Sequence, residues 1–90
     1  MNHIQVIREI MILRDATLTE LGERLGISHV AVLHRITSKQ GRLDTTLQVL
    51  EALGYEVVVR PLTTEDPLEG EYIIRHRDYT RTPLKEDDLL

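Results

Sequence analysis

The sequence predicts a mostly α-helical domain of four short helices followed by a β-strand or hairpin. Three observations predict it. Residues 17–37 (TLTELGERLGISHVAVLHRIT) read as two short helices joined by a tight turn. Apolar residues recur at helical spacing on both sides of that unit: Ile4, Ile7 and Met11 before it, and Leu43, Leu47, Leu50 and Leu53 after it. Residues 55–60 (YEVVVR) then switch to a β-branched, alternating pattern, the best strand signal in the chain.

The first helix is expected over about 3–14, with Ile4, Ile7 and Met11 on its core stripe. Val6, Ile10, Ile12 and Leu13 widen that stripe, either as a broad core or as extra burial against a second subunit. Asp15 and Ala16 link to the second helix, where Thr17 and Glu20 form a T-x-x-E capping box. Leu18, Leu21 and Leu25 give that helix one apolar face, and Gly26 ends it in the left-handed conformation. Gly22 lies mid-helix, where glycine costs about 0.5–1 kcal/mol against Ala. Its missing side chain lets the next helix cross closely over this one. Ser28 caps that third helix, whose Val32 and Ile36 face inward.

Residues 38–42 (SKQGR) form a polar loop hinged at Gly41, and the fourth helix stops at Gly54. In the strand, Tyr55, Val57 and Val59 share one face and Glu56, Val58 and Arg60 the other, until Pro61 closes it. After a turn-rich connector at 63–70, residues 71–76 are a candidate second strand. Two strands alone are marginal in water, so the pair packs on the helices or joins a sheet with another subunit. The organisation expected is a helical domain at 1–54, a strand or hairpin dimerisation segment at 55–76, and a charged, flexible tail at 77–90.

Ninety residues make one domain, without Phe, Trp or Cys. The core must therefore be aliphatic, and disulfides, thiol catalysis and Cys-based zinc sites are excluded. No apolar run exceeds four residues and the N-terminus lacks a signal-peptide pattern, so a cytoplasmic protein without a membrane span is expected. The net charge of -4 divides unevenly. Residues 1–62 balance, with Arg8, Arg14, Arg24, Arg35, Lys39, Arg42 and Arg60 against an equal number of carboxylates, and the acidic excess lies wholly in 63–90. That acidic third either binds a partner or keeps the chain soluble. Between residues 28 and 42 there is no carboxylate at all, only Arg35, Lys39, Arg42, His29 and His34. Screening beyond about 8–10 Å makes this local bias matter more to a phosphate than the total.

The small residue Gly22, then Gly26, Ser28 and the inward Val32 together resemble the helix-turn-helix of the Cro and phage-repressor family. The segment 21–26 (LGERLG) is close to that family's L-A-x-x-L-G. Residues 43–60 (LDTTLQVLEALGYEVVVR) resemble members in which a last helix ending A-L-G runs into a strand. The resemblance spans about residues 4–61. It implies a four-helix, lambda-repressor-like helix-turn-helix domain that binds double-stranded DNA as a homodimer and regulates transcription, most plainly as a repressor. The strand after the last helix also resembles persistence-type antitoxins, which repress their own operon and bind a toxin.

By the resemblance, His29, Val30, Leu33 and His34 are the base-reading positions. Histidine can donate to guanine N7 or O6 and an aliphatic group can meet a thymine methyl; the alternative places Val30 and Leu33 in the core and leaves the histidines merely exposed. Thr17, Ser28, Arg35, Lys39, Gln40 and Arg42 are the phosphate candidates, and Tyr55, Val57, Val58 and Val59 the dimerisation residues. The position after the first cap, often Gln in the family, is Leu18 here. Enzymatic readings find little: His29 and His34 are five apart rather than on one zinc-binding face, and no nucleophile elbow, phosphate loop or paired carboxylate appears. No metal or cofactor is expected. The rival class is a protein-interaction module that keeps the helices but has lost DNA binding.

Overall fold

The N-terminal helix α1 (His3–Leu13) begins with a cap that the spacing did not single out. Asn2 Oδ1 accepts the Gln5 N–H at 2.9 Å and Gln5 Oε1 accepts the Asn2 N–H at 2.9 Å, a reciprocal box that satisfies two donors the helix cannot. Its far end turns at Asp15, in the left-handed region at φ 52°. There the Asp15 N–H reaches Ile12 O and the Ala16 N–H reaches Met11 O, a Schellman closure on a non-glycine residue. The computed structural model describes residues 1–38 and 41–79.

The buried stripe of α1 is His3, Val6, Ile7 and Ile10, not Ile4, Ile7 and Met11. Ile4 and Met11 are half-buried at its edges, and Ile12 and Leu13 are exposed. Both sets obey the helical period, and the one that wins is headed by a histidine, which an apolar count passes over.

Helix α2 (Leu18–Leu25) is capped by Thr17, whose Oγ1 accepts the Glu20 N–H at 3.1 Å. Gly26, at φ 71°, ends it, and the N–H groups of Gly26 and Ile27 both reach the Gly22 carbonyl. Gly22 itself is buried under the turn. A Cβ there would stand 2.6 Å from the Ile27 carbonyl oxygen, so the expected close crossing is real and backbone meets backbone. Helix α3 (His29–Thr37) starts from Ser28, whose Oγ accepts the Ala31 N–H at 3.2 Å. Helix α4 (Leu43–Ala52) closes as a Schellman motif: Gly54 N–H to Glu51 O and Tyr55 N–H to Leu50 O, both at 2.9 Å.

The four helices enclose one aliphatic core of Val6, Ile7, Ile10, Leu21, Val32, Ile36, Val49, Leu50 and Leu53. Leu18, Leu25 and Ile27 seal its edges. With no aromatic in that core, each branched side chain carries a large share of stability; truncating one such as Ile10 to Ala costs about 2–5 kcal/mol. No helix among the described residues is long and apolar enough to cross a membrane.

Residues 55–75 follow without regular secondary structure, and among the described residues no segments pair as strands. The expected strand at 55–60 thus has no partner among the described residues, and residue 76, expected to end a second strand, instead opens a 3-10 turn (His76–Tyr79). Tyr55 and Tyr72 pack on the core edge with ring centroids 6.3 Å apart, and the Arg14 guanidinium sits 5.2 Å over the Tyr55 ring. Burial first, then the nearby Glu9 and Tyr55, push the Tyr72 hydroxyl pKa up. Residues 77–79, assigned by composition to the tail, belong to the 3-10 turn and lie against the start of α1, while 80–90 fall outside the described residues.

Candidate nucleic-acid interface

Because Val32 and Ile36 point into the core, the helical period sends Val30, Leu33, His34 and Thr37 outward, while His29, on the inward side by that period, is exposed because it is the first residue of the helix. Val30 is 63% exposed and Leu33 46% exposed, so the aliphatic pair is not part of the core. The exposed surface of α3 therefore alternates imidazoles with bare aliphatic groups. Between Glu23 and Asp44 the chain holds no carboxylate.

The cations near this face differ in what holds them. Arg35 is half-buried and its Nη1 reaches Gln48 Oε1 at 3.4 Å, which ties it to α4. Arg42 occupies the N-cap of α4 without capping it by its side chain. Its Nη2 pairs with Asp44 Oδ2 at 3.2 Å, and both side chains are exposed. Such a pair in water is worth little, about 0–1 kcal/mol, so a phosphate could displace the carboxylate at small cost. Lys39 and Gln40 lie outside the described residues. Thr17 and Ser28 each use the hydroxyl oxygen as a cap acceptor, which leaves the O–H proton to donate. Arg24, also basic, is committed elsewhere: its Nη1 donates to Ala52 O at 2.7 Å.

Of the residues expected to serve dimerisation, Tyr55 packs on its own core, whereas Val57 to Val59 stand open, Val58 at 73% and Val59 at 96% exposure. The backbone of residues 56–60 makes no hydrogen bond within the described residues. A β-branched segment with unpaired backbone is a template for another strand.

A second polar cluster escaped the sequence reading. His3 is buried, with Nε2 3.0 Å from Ser38 O and Nδ1 2.7 Å from Tyr79 Oη, and its ring stacks on Tyr79 at 5.5 Å. Beside it, Asp78 Oδ2 accepts the Arg75 N–H at 2.7 Å and meets the N-terminal ammonium at 3.1 Å. The Arg75 amide first and the ammonium second hold the Asp78 carboxyl below the usual carboxylate range. The available signal was the 3-6-7-10 register, which places His3 at the head of the buried stripe; its partners are too distant in sequence to infer.

Among the described residues no three His, Cys, Asp or Glu side chains gather as a metal site. Comparisons with family models, curated proteins and solved structures return no match to this chain.

Proposed function

We propose that this chain is a sequence-specific DNA-binding transcriptional regulator, most plainly a repressor, that works as a homodimer with a lambda-repressor-like arrangement of its four helices. The observation that carries this reading is the capped α2–turn–α3 unit, closed on Gly22, with His29, Val30, Leu33 and His34 exposed in a stretch free of carboxylates. Helix α3 enters the major groove, where the imidazoles donate to guanine and Val30 and Leu33 meet thymine methyl groups. Thr17, Ser28, Arg35 and Arg42, with Lys39 and Gln40, contact phosphates and set the docking register. Two copies pair through residues 55–60, whose open valines and unpaired backbone support this, and present two α3 helices to a near-palindromic operator.

Selection of bound sequences from a random DNA pool at two salt concentrations tests the reading. The expected product is a near-palindrome with half-sites about one helical turn apart, about 10 bp. No enrichment at either salt concentration would reject it. Val57→Lys with Val59→Lys is expected to release monomers that bind DNA poorly, and light scattering showing a monomeric parent protein would remove the dimer.

The second reading is a protein-interaction module. The Arg42–Asp44 pair and the bare Val30 and Leu33 favour it, since both suit a neutral partner surface. An antitoxin combines the two, with α3 on its operator and the acidic segment on a toxin. Exposed Leu62 and Leu68 among carboxylates support that version.

A further inference from the structure

His3 is the one buried polar side chain among the described residues, only 8% exposed although it opens a helix. Its two ring nitrogens and its backbone N–H are all engaged, and the partners choose between its neutral tautomers. Ser38 O, the carbonyl at the end of α3, can only accept, so Nε2 carries the proton. Nδ1 must then accept, and it takes the single O–H proton of Tyr79 at 2.7 Å. The Tyr79 oxygen keeps a lone pair for the His3 N–H at 2.9 Å. Of the two neutral tautomers, only the one with its proton on Nε2 closes this set.

The same Ser38 carbonyl also accepts the Gly41 N–H at 3.3 Å, the bond that spans the α3–α4 turn. Gly41 lies close: a Cβ there would stand 3.7 Å from His3 Nε2. The next residue is Arg42, the N-cap of α4. A continuous chain thus runs from Tyr79 through His3 and Ser38 to Gly41, and ends beside a phosphate candidate. Helix packing does not demand it, because an aliphatic residue would serve the 3-6-7-10 stripe as well.

We infer that His3 is a positioning residue that ties the α3–α4 turn, and through it Arg42, to the docking of the 76–79 turn on α1. Its consequence for DNA rests on the function proposed above. When Tyr79 is in place, the His3 ring is held by stacking and by its Nδ1 bond, and Nε2 fixes the carbonyl that sets the turn. When Tyr79 leaves, the ring loses both restraints and the turn loses its fixed donor. The C-terminal segment then controls how the basic end of the DNA-facing surface is presented, without touching DNA itself.

Tyr79→Phe tests this, since it keeps the ring and removes one oxygen; His3→Leu removes the whole relay at similar volume. Long-range proton–nitrogen spectra of the imidazole should show a single Nε2–H tautomer in the parent protein. A second tautomer should appear in Tyr79→Phe, with the Gly41 amide resonance shifted and the α2 resonances unmoved. On the selected operator, Tyr79→Phe should weaken binding about three- to tenfold, the equivalent of one lost hydrogen bond. It should also lower the salt slope by up to about one unit. In an Arg42→Ala background the same change should cost nothing further. An unchanged tautomer and Gly41 resonance in Tyr79→Phe would overturn the link. A shifted Gly41 with unaltered operator affinity and salt slope would overturn its role in positioning. If the parent protein binds no DNA, the proposed function falls, while the spectra still decide whether Tyr79 controls the turn. Should His3→Leu fail to fold, Tyr79→Phe carries the test alone.

Discussion

Replacing Gly22 with Ala sets two known effects against each other at one atom. In an ordinary helix interior the change stabilises by about 0.5–1 kcal/mol, because Ala loses less backbone freedom on folding. Here the new Cβ would lie 2.6 Å from Ile27 O and 3.4 Å from both His29 N and Ser28 C, all backbone atoms. Restoring an ordinary 3.4 Å contact requires the turn to retreat by about 0.8 Å, and it carries the start of α3 with it. Overpacking of this kind costs about 1–3 kcal/mol, and a backbone obstacle belongs in the upper half of that range. The net loss is then about 1–2 kcal/mol, or about 5–15 °C in Tm for a domain of this size. Thermal and urea unfolding followed by circular dichroism measure it, with Glu23→Ala on the same helix as the exposed control. On the proposed function, operator affinity should fall beyond the loss of folded protein, because α3 is displaced. A Gly22→Ala protein as stable as its parent would show that the turn yields freely and that the close crossing constrains nothing.

The other expected outcomes concern particular side chains. Asp15 holds φ 52° and places a carboxylate at the C-terminal end of α1. Asp15→Asn should therefore gain about 0.3–1 kcal/mol from the helix dipole, and Asp15→Gly at least as much, read as a higher urea midpoint at unchanged m. The Asp78 carboxyl is held low by the Arg75 amide and the N-terminal ammonium, so its contribution is present above the unfolded-state pKa and lost as pH falls through the folded one. The parent should exceed Asp78→Asn in stability at neutral pH and begin to lose that margin below about pH 4; a margin that does not shrink as the pH falls further refutes the assignment. His34→Ala should cost about 1–3 kcal/mol on the selected operator and little on random DNA, whereas Arg42→Ala should weaken both alike; equal losses for His34→Ala would show that it reads no base.

How legible the chain was in its sequence depends on how local each signal is. Thr17, Gly26, Ser28 and Gly54 act within one turn of themselves, and each stands at the helix boundary its chemistry requires. Gly22 could be read because a glycine in mid-helix needs a reason, and a close neighbour is the usual one. The register of α1 was not legible, because apolar residues occupy two overlapping stripes and only tertiary packing chooses between them. The caps at Asn2 and Asp15 were missed for different reasons: Asn2 pairs with Gln rather than Glu, and Asp15 takes a conformation that glycine usually marks. The outward face of α3 followed from its inward one for Val30, Leu33 and His34, whereas His29 shares the angular position of Ile36 and is exposed because it opens the helix.

The C-terminal third resisted for a deeper reason. A strand is defined by its ladder, so 55–60 can carry every compositional mark of one and still lack pairing among the described residues. Its valines remain exposed, which costs the monomer the burial they are suited to give; at about 25 cal/mol per Å2, covering them is a substantial reward for a chain with so small a core. Tyr55, by contrast, is half-buried beside Tyr72 and Arg14, so the segment is anchored at one end and open along the rest. In the proposed dimer a second copy would leave the Tyr55 packing intact and supply both the ladder and the apolar cover. If so, Tyr55→Ala should lower the stability of each subunit, whereas Val59→Lys should act on association alone, and concentration-dependent unfolding separates the two.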